Sequence, residues 1–187
     1  MKLSDPRANR SRQALLNAGI DAFLINPNAS LTEVAAIAGV GRATLYRHFE
    51  TREQLIQELA RESLALTDKA TEPLKAKKLK GREAIAAMLH AVMPLANRFH
   101  FLLSLWTIAE DDPEVSEIYH RQLAELAELV EQGKQAGEIN TGLTTTWIVT
   151  MIDSLIYAGW YLVRSGEYNP GEAAQSAVHT LFSGISS

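Results

Sequence analysis

Residues 30–49, SLTEVAAIAGVGRATLYRHF, decide the fold. Ser30 with Glu33 three residues on is a capping box, which opens a short helix through Ala38. Gly39-Val40-Gly41 makes a tight turn, with Gly39 suited to the left-handed position that ends a helix. A second short helix follows from Arg42 to about His48. Ala35, Val40 and Leu45 stand five residues apart, so one side chain from each helix and one from the turn can share a core. Two short helices joined by a glycine-containing turn make a helix-turn-helix, the second helix small enough to enter a DNA major groove. With Leu45 and Phe49 turned inward, Arg42, Thr44, Tyr46, Arg47 and His48 remain outside. That is a donor-rich set suited to phosphates and base edges.

Outward from this motif the chain reads as helix throughout, about nine in all, with no strand pattern and no internal repeat. Asp5-Pro6 gives an N-cap and a first-turn proline, and Ala14, Leu15, Ala18, Ala22, Phe23 and Ile25 then recur at helical spacing until Asn26-Pro27-Asn28. Thr51 and Gln54 form another capping box ahead of a long helix from Arg52 to about Lys69. Pro73 and the basic run Lys75, Lys77, Lys78, Lys80, Arg82 mark a boundary, after which the pattern restarts at Ile85, Met88, Leu89 and Val92. Pro94 should kink or end that fifth helix, and Phe99 to Ile108 is an apolar sixth, stopped by Glu110-Asp111-Asp112-Pro113. Val115, Ile118, Leu123, Leu126, Leu129 and Val130 stripe a seventh, ending at Gly133 and Gly137. Trp147 to Val163 is apolar on nearly every side, as for a helix covered from two directions. Ala174, Ala177, Val178, Leu181, Phe182 and Ile185 stripe a last helix after Pro170. The expected organisation is a helix-turn-helix domain over 1–50, a connecting helix over 51–72 and a second helical domain over 73–187.

The 187 residues are 47% hydrophobic and 21% charged, ordinary globular usage far from the signature of disorder. There is no cysteine, which removes disulfides, thiolate zinc sites and cysteine nucleophiles together. No apolar run approaches the ~20 residues that span a bilayer, and Met1 to Arg12 is polar, so a cytoplasmic protein without membrane contact is expected. The formal charge is −4, yet residues 1–52 carry seven basic and four acidic side chains while the remainder nets −7. A basic head on an acidic body suits a polyanion-facing module joined to a body with another task.

Residues 31–59, LTEVAAIAGVGRATLYRHFETREQLIQEL, resemble the N-terminal DNA-binding domain of the TetR family of bacterial transcriptional regulators. The resemblance covers roughly residues 10–60, and beyond residue 70 it rests on helix count, size and an apolar penultimate helix. It implies that Thr44, Tyr46 and His48 lie at the DNA, Tyr46 and His48 mainly on phosphates, with Arg42 and Ala43 facing base edges. It also implies backbone contacts from Thr32 and Arg52. Two positions depart from the family pattern. Gly41 stands where serine often caps the recognition helix, and glycine caps nearly as well. Ala43 often corresponds to glycine or proline, so base readout there is its own.

Other features have bland and sharp readings side by side. Arg7, Arg10 and Arg12 are a solvated N-terminus or reach phosphates beside the recognition helix, and the lysine run at 75–82 reads as a solvated linker. Glu117 and His120 have the i, i+3 spacing of a carboxylate-bridged di-iron ligand pair, but a di-iron centre needs a second such pair and two more glutamates, so neither metal nor cofactor is expected. Met88, His90, Phe99, His100, Trp106, Trp147 and Met151 are the candidate lining of an effector pocket, although such stripes also build cores. Asp153, inside an apolar helix, is either a pocket anchor or a residue at a wet interface. The expectation is an all-α, non-enzymatic, ligand-responsive repressor. It binds a pseudo-palindromic operator as a homodimer and is released by an aromatic or lipophilic effector. The alternative is a helical ligand-binding or scaffold protein without specific DNA binding.

Overall fold

The computed structural model describes residues 6–184. Asp5 and Ile185, to which the sequence assigns an N-cap and a core position, lie outside the described residues. The described residues form nine α-helices and one 3-10 turn, with no strand among them: α1 (Pro6–Ile25), α2 (Leu31–Ile37), α3 (Arg42–His48), α4 (Arg52–Ala76), α5 (Gly81–Val92), the 3-10 turn (Met93–Leu95), α6 (Ala96–Ala109), α7 (Pro113–Gln135), α8 (Thr145–Ser165) and α9 (Pro170–Ser183).

These helices divide into two compact units. The first contains the described residues up to Ser63 together with Phe101–Ser116. Its core is Leu15, Leu16 and Phe23 of α1, Leu45 of α3, Leu55, Ile56 and Leu59 of α4, and Phe101 of α6, whose ring lies 6.2 Å from that of Phe23. Each such side chain contributes roughly 1.5–3 kcal/mol by leaving water. The second unit contains Leu64–His100 and the described residues from Glu117 onward. Ile85, Leu89, Val92, Met93, Val130, Ile148, Ile152, Ile156 and Ala174 fill its core, and α8 packs most extensively on α9. The division differs from one drawn along the sequence, because the C-terminal part of α6 and the start of α7 pack with the N-terminal helices.

Four details correct the sequence reading. α4 continues past Lys69 and through Pro73 to Ala76. A proline removes one helical hydrogen bond, but this stretch is tied to α7: Arg121 bonds Asp68 at 2.5 Å, Lys75 bonds Glu125 at 2.7 Å and Gln122 donates to the Leu64 carbonyl at 2.9 Å. α7 likewise runs through Gly133, where the glycine serves close packing instead of termination. A Cβ on Gly81 would sit 3.0 Å from the Gly133 Cα, and one on Gly133 would meet the Ile139 side chain at 2.5 Å. α8 is covered on one face only: Ile148, Ile152, Ile156 and Gly159 are buried, while Trp147, Tyr157 and Tyr161 remain 57%, 43% and 59% exposed. By length and composition alone α8 would suffice to cross a membrane, contrary to the expectation that no run is that long. Its inner face is packed on α9 and the 3-10 turn.

Replacing Gly81 by Ala should destabilise the protein. Gly81 adopts φ +51°, which an L side chain tolerates poorly, and the new methyl group would press on the Gly133 backbone. The expected loss is roughly 1–3 kcal/mol, read as a lowered midpoint in urea denaturation.

Candidate nucleic-acid interface

α3 has seven residues, too short to be stable alone, so its orientation is set by what holds it. Ser30 caps α2 reciprocally: its hydroxyl accepts the Glu33 N–H at 3.3 Å and its own N–H donates to the Glu33 carboxylate at 2.7 Å. Gly39 takes φ +65° and turns the chain, and the Val40 N–H closes on the Ala35 carbonyl at 2.9 Å. Gly41 is the N-cap of α3 with extended backbone and no side-chain bond. Leu45 and Phe49 are buried, and Arg42, Ala43, Tyr46 and Arg47 are exposed as the sequence reading expects, with Tyr46 49% exposed. Thr44 and His48 are half-buried. The result is a short face with two guanidinium groups, a phenol and an imidazole, and no carboxylate on α3.

Two contacts tie this face to α1. The Ser11 hydroxyl lies 2.9 Å from His48 Nε2. Burial first, and then the charges of Arg47 and Arg12, hold the His48 imidazole below its ordinary pKa, which favours the neutral ring. Arg12 stands over the Phe49 ring at 6.0 Å and pairs with Glu58 of α4. Arg10 Nε donates to the Pro6 carbonyl at 3.2 Å. Ser11 and Glu58 escaped the sequence reading, since no local motif marks a hydroxyl or carboxylate whose partner lies 37 or 46 residues away.

Thr32 and Arg52 have other company. The Thr32 hydroxyl is 3.1 Å from that of Ser30. Arg52 Nε donates to the Ala29 carbonyl at 3.0 Å, its second nitrogen donates to the Pro27 carbonyl, and the guanidinium lies 5.2 Å over the Phe23 ring. That side chain braces the α1–α2 loop.

The candidate effector residues are scattered. Met88 and Phe99 pack against the core of the second unit, and His100 stacks on Trp160 at 3.7 Å. His90 and Trp147 are exposed, Met151 is half-buried on α8, and Trp106 belongs to the first unit. Asp153 is exposed to solvent yet set deep enough among protein atoms that burial pushes its carboxyl up to about 6. Glu117 and His120 meet no third ligand: among the described residues no group of three His, Asp or Glu side chains is placed to hold a metal ion.

Residues 27–59 match the family of bacterial regulatory proteins known as the tetR family. A 63-residue stretch is 40% identical to the HTH-type transcriptional repressor LfrR of Mycolicibacterium smegmatis, spanning 34% of this chain and 33% of that repressor's length. The N-terminal helices are thus similar to those of the TetR family. Similarity in fold extends over nearly the whole chain. The crystal structure of TetR-like LfrR from Mycobacterium smegmatis in complex with proflavine superposes with a TM-score of 0.75 at 23% identity, covering 96% of this chain and 98% of that one. FadR from Bacillus subtilis in complex with stearoyl-CoA gives 0.68 at 21% identity, covering 93% and 99%. The all-α expectation and the TetR resemblance both hold.

Two outcomes follow from these placements. Tyr46→Ala should lower affinity for duplex DNA about tenfold or more at an unchanged melting temperature, whereas Arg52→Ala should lower the melting temperature by a few degrees; binding titrations and thermal melts separate the two. For Asp153 the folded pKa lies above the unfolded one, so its contribution to stability is fully present below about pH 4 and is lost as pH rises through about 6. Asp153→Asn should therefore raise the melting temperature more at pH 7.5 than at pH 4.

Proposed function

We propose that this protein is a ligand-responsive transcriptional regulator, a repressor that binds a pseudo-palindromic operator as a homodimer and leaves it when a small effector binds. The observation that carries the reading is the exposed face of α3: Arg42, Tyr46 and Arg47 stand out to solvent over a buried Leu45, inside a domain that matches the TetR family. Arg42 with Ala43 and Thr44 would meet base edges, while Tyr46, Arg47 and His48 would meet phosphates. Thr32 would add a backbone contact. Arg52 would brace the loop beside it or reach a phosphate.

The homodimer is supported by the exposed aromatic side chains of α8. Trp147, Tyr157 and Tyr161 are apolar surface that a second copy would cover in a four-helix contact with α9. A twofold dimer would present two recognition helices to major grooves roughly 34 Å apart or further. An effector would act by favouring a spacing that fits the grooves poorly. A preference of ~1–3 kcal/mol between the two spacings is enough to change occupancy several-fold. α4 supplies residues to both units and is the natural element to carry that shift. That similar folds hold proflavine and stearoyl-CoA supports an aromatic or lipophilic effector. Such a protein would act in the bacterial cytoplasm without enzymatic activity.

The test is capture of fragmented genomic DNA by the purified protein at ~150 mM salt with excess competitor DNA. Enriched fragments sharing an inverted repeat are expected, with affinity falling steeply as salt rises because phosphate contacts release counterions. A folded, dimeric protein that enriches nothing in the absence of effector would overturn this reading in favour of a helical ligand-binding or scaffold protein.

A further inference from the structure

The Ser11 hydroxyl of α1 makes two contacts. It donates to the Ala8 carbonyl at 3.0 Å and lies 2.9 Å from Nε2 of His48 on α3. A carbonyl only accepts and a hydroxyl has one proton, so with that proton at Ala8 the second contact is a hydrogen bond only if the imidazole donates it. The His48 ring therefore carries a hydrogen on Nε2. In the neutral imidazole the other nitrogen, Nδ1, is then a bare lone pair, and among the described residues it has no hydrogen-bond partner.

The surroundings disfavour charge on this ring. Burial, then the charges of Arg47 on α3 and Arg12 on α1, hold it below its ordinary pKa. The carboxylates of the neighbouring helices are taken elsewhere: Glu58 of α4 pairs with Arg12 and Arg61, and Glu33 of α2 caps its own helix at Ser30. A phosphate would reverse the balance. Its oxygens accept hydrogen bonds and have none to donate, so a lone pair on Nδ1 would repel it. A proton added at Nδ1 makes that nitrogen a donor and gives the ring the charge a phosphate favours, while Nε2–H keeps its bond to Ser11.

We propose that Ser11 is a positioning residue that fixes the tautomer of His48, so that His48 meets a DNA phosphate through Nδ1 and only as the imidazolium, each such contact taking up one proton from solvent. This deepens the regulator reading and rests on it for the contact of His48 with phosphate. Arg42 and Arg47 on the same face stay charged throughout, whereas an imidazole titrates near neutrality, so His48 ties DNA affinity to pH. The gain in affinity is complete below the pKa of the free ring and is lost as pH rises through the higher pKa of the complex. Without the Ser11 hydroxyl, a neutral ring could place its hydrogen on Nδ1 and donate to the phosphate with no proton uptake.

Two measurements on the full-length protein test this. Nitrogen NMR of isotope-labelled histidine at about pH 8, with the His48 signal assigned by its loss in His48→Gln, should show the Nε2–H form in the wild type and mixed tautomers in Ser11→Ala. Anisotropy titrations then use a rhodamine-labelled duplex of arbitrary sequence at ~50 mM salt, since phosphate contacts are independent of sequence. From about pH 8 to about pH 6 the wild type should gain at least about fivefold more affinity than His48→Gln, which carries the background of the other histidines. Ser11→Ala, checked for folding by thermal melt, should lose most of that excess, and Ser11→Thr, which keeps the hydroxyl, should retain it. A merely structural Ser11 would instead lower affinity equally at both pH values. An Nδ1–H signal in the wild type overturns the proposal, as does a pH dependence shared by wild type and either His48→Gln or Ser11→Ala. Genomic DNA capture is read separately. An inverted repeat captured with no pH effect due to His48 leaves the regulator standing and the proton link overturned. A pH effect due to His48 on duplex binding, with no fragment enriched, leaves the proton link standing and the regulator reading overturned. A wild type that binds no DNA at any pH overturns both.

Discussion

The burial of Leu45 and Phe49 is the constraint on which the exposed face of α3 depends. A seven-residue helix gains too few hydrogen bonds to offset the cost of its nucleation, so α3 exists because these two side chains are withdrawn from water beneath it. Their withdrawal also fixes which residues are left outside. On a helix with 3.6 residues per turn, once Leu45 points inward, Ala43, Tyr46 and Arg47 are turned away from it, while Arg42 is exposed in the first turn. Stability and recognition are thus one geometric fact, and the exposed residues can change without unfolding what presents them.

Around that hydrophobic contact the first unit adds charges that orient more than they stabilise. Arg12 pairs with Glu58, Glu58 with Arg61 at 2.6 Å, and Arg61 with Asp112 and, at 3.1 Å, with Glu114. Against the cost of burial, the Val115 N–H and Arg61 hold the Asp112 carboxyl below its ordinary range, and its second oxygen caps α7. Partly exposed pairs contribute little individually. A chain of four, however, has few arrangements that satisfy all its members, and this one runs from α1 beside His48, through α4, to the turn before α7. Within the unit, a displacement of that turn would be felt at the α1 end as a change of partner instead of a gradual loosening.

What the sequence made legible was local. Ser30 with Glu33, Thr51 with Gln54, Gly39 and Pro94 act on backbone groups within four residues of themselves, so spacing alone locates them; the Thr51 hydroxyl accepts the Gln54 N–H at 3.2 Å and the Gln54 carboxamide accepts the Thr51 N–H at 3.4 Å, as in a capping box. The exposed side of α3 was legible for the same reason, since periodicity assigns the sides of a helix once its core residues are known. The illegible features are those whose partners lie far along the chain. Helix α4 survives Pro73 because of Arg121, Gln122 and Lys75–Glu125; Gly133 permits a close approach by Gly81; Arg52 turns back to Ala29 and Pro27; and side-chain type alone cannot tell a residue packed on the core, such as Phe99, from an exposed one such as Trp147.

Helix α8 shows why hydropathy was the least informative measure here. A segment apolar on every side is consistent with a membrane span, a fully enclosed core helix, or a helix that shows each side to a different partner. These differ in how a charge is tolerated. In lipid or in a closed core, Asp153 would require an opposite charge of the protein's own, and none is present among the described residues. On a helix whose buried stripe packs on α9 and whose far side stays exposed, a lone carboxylate can persist because solvent reaches it.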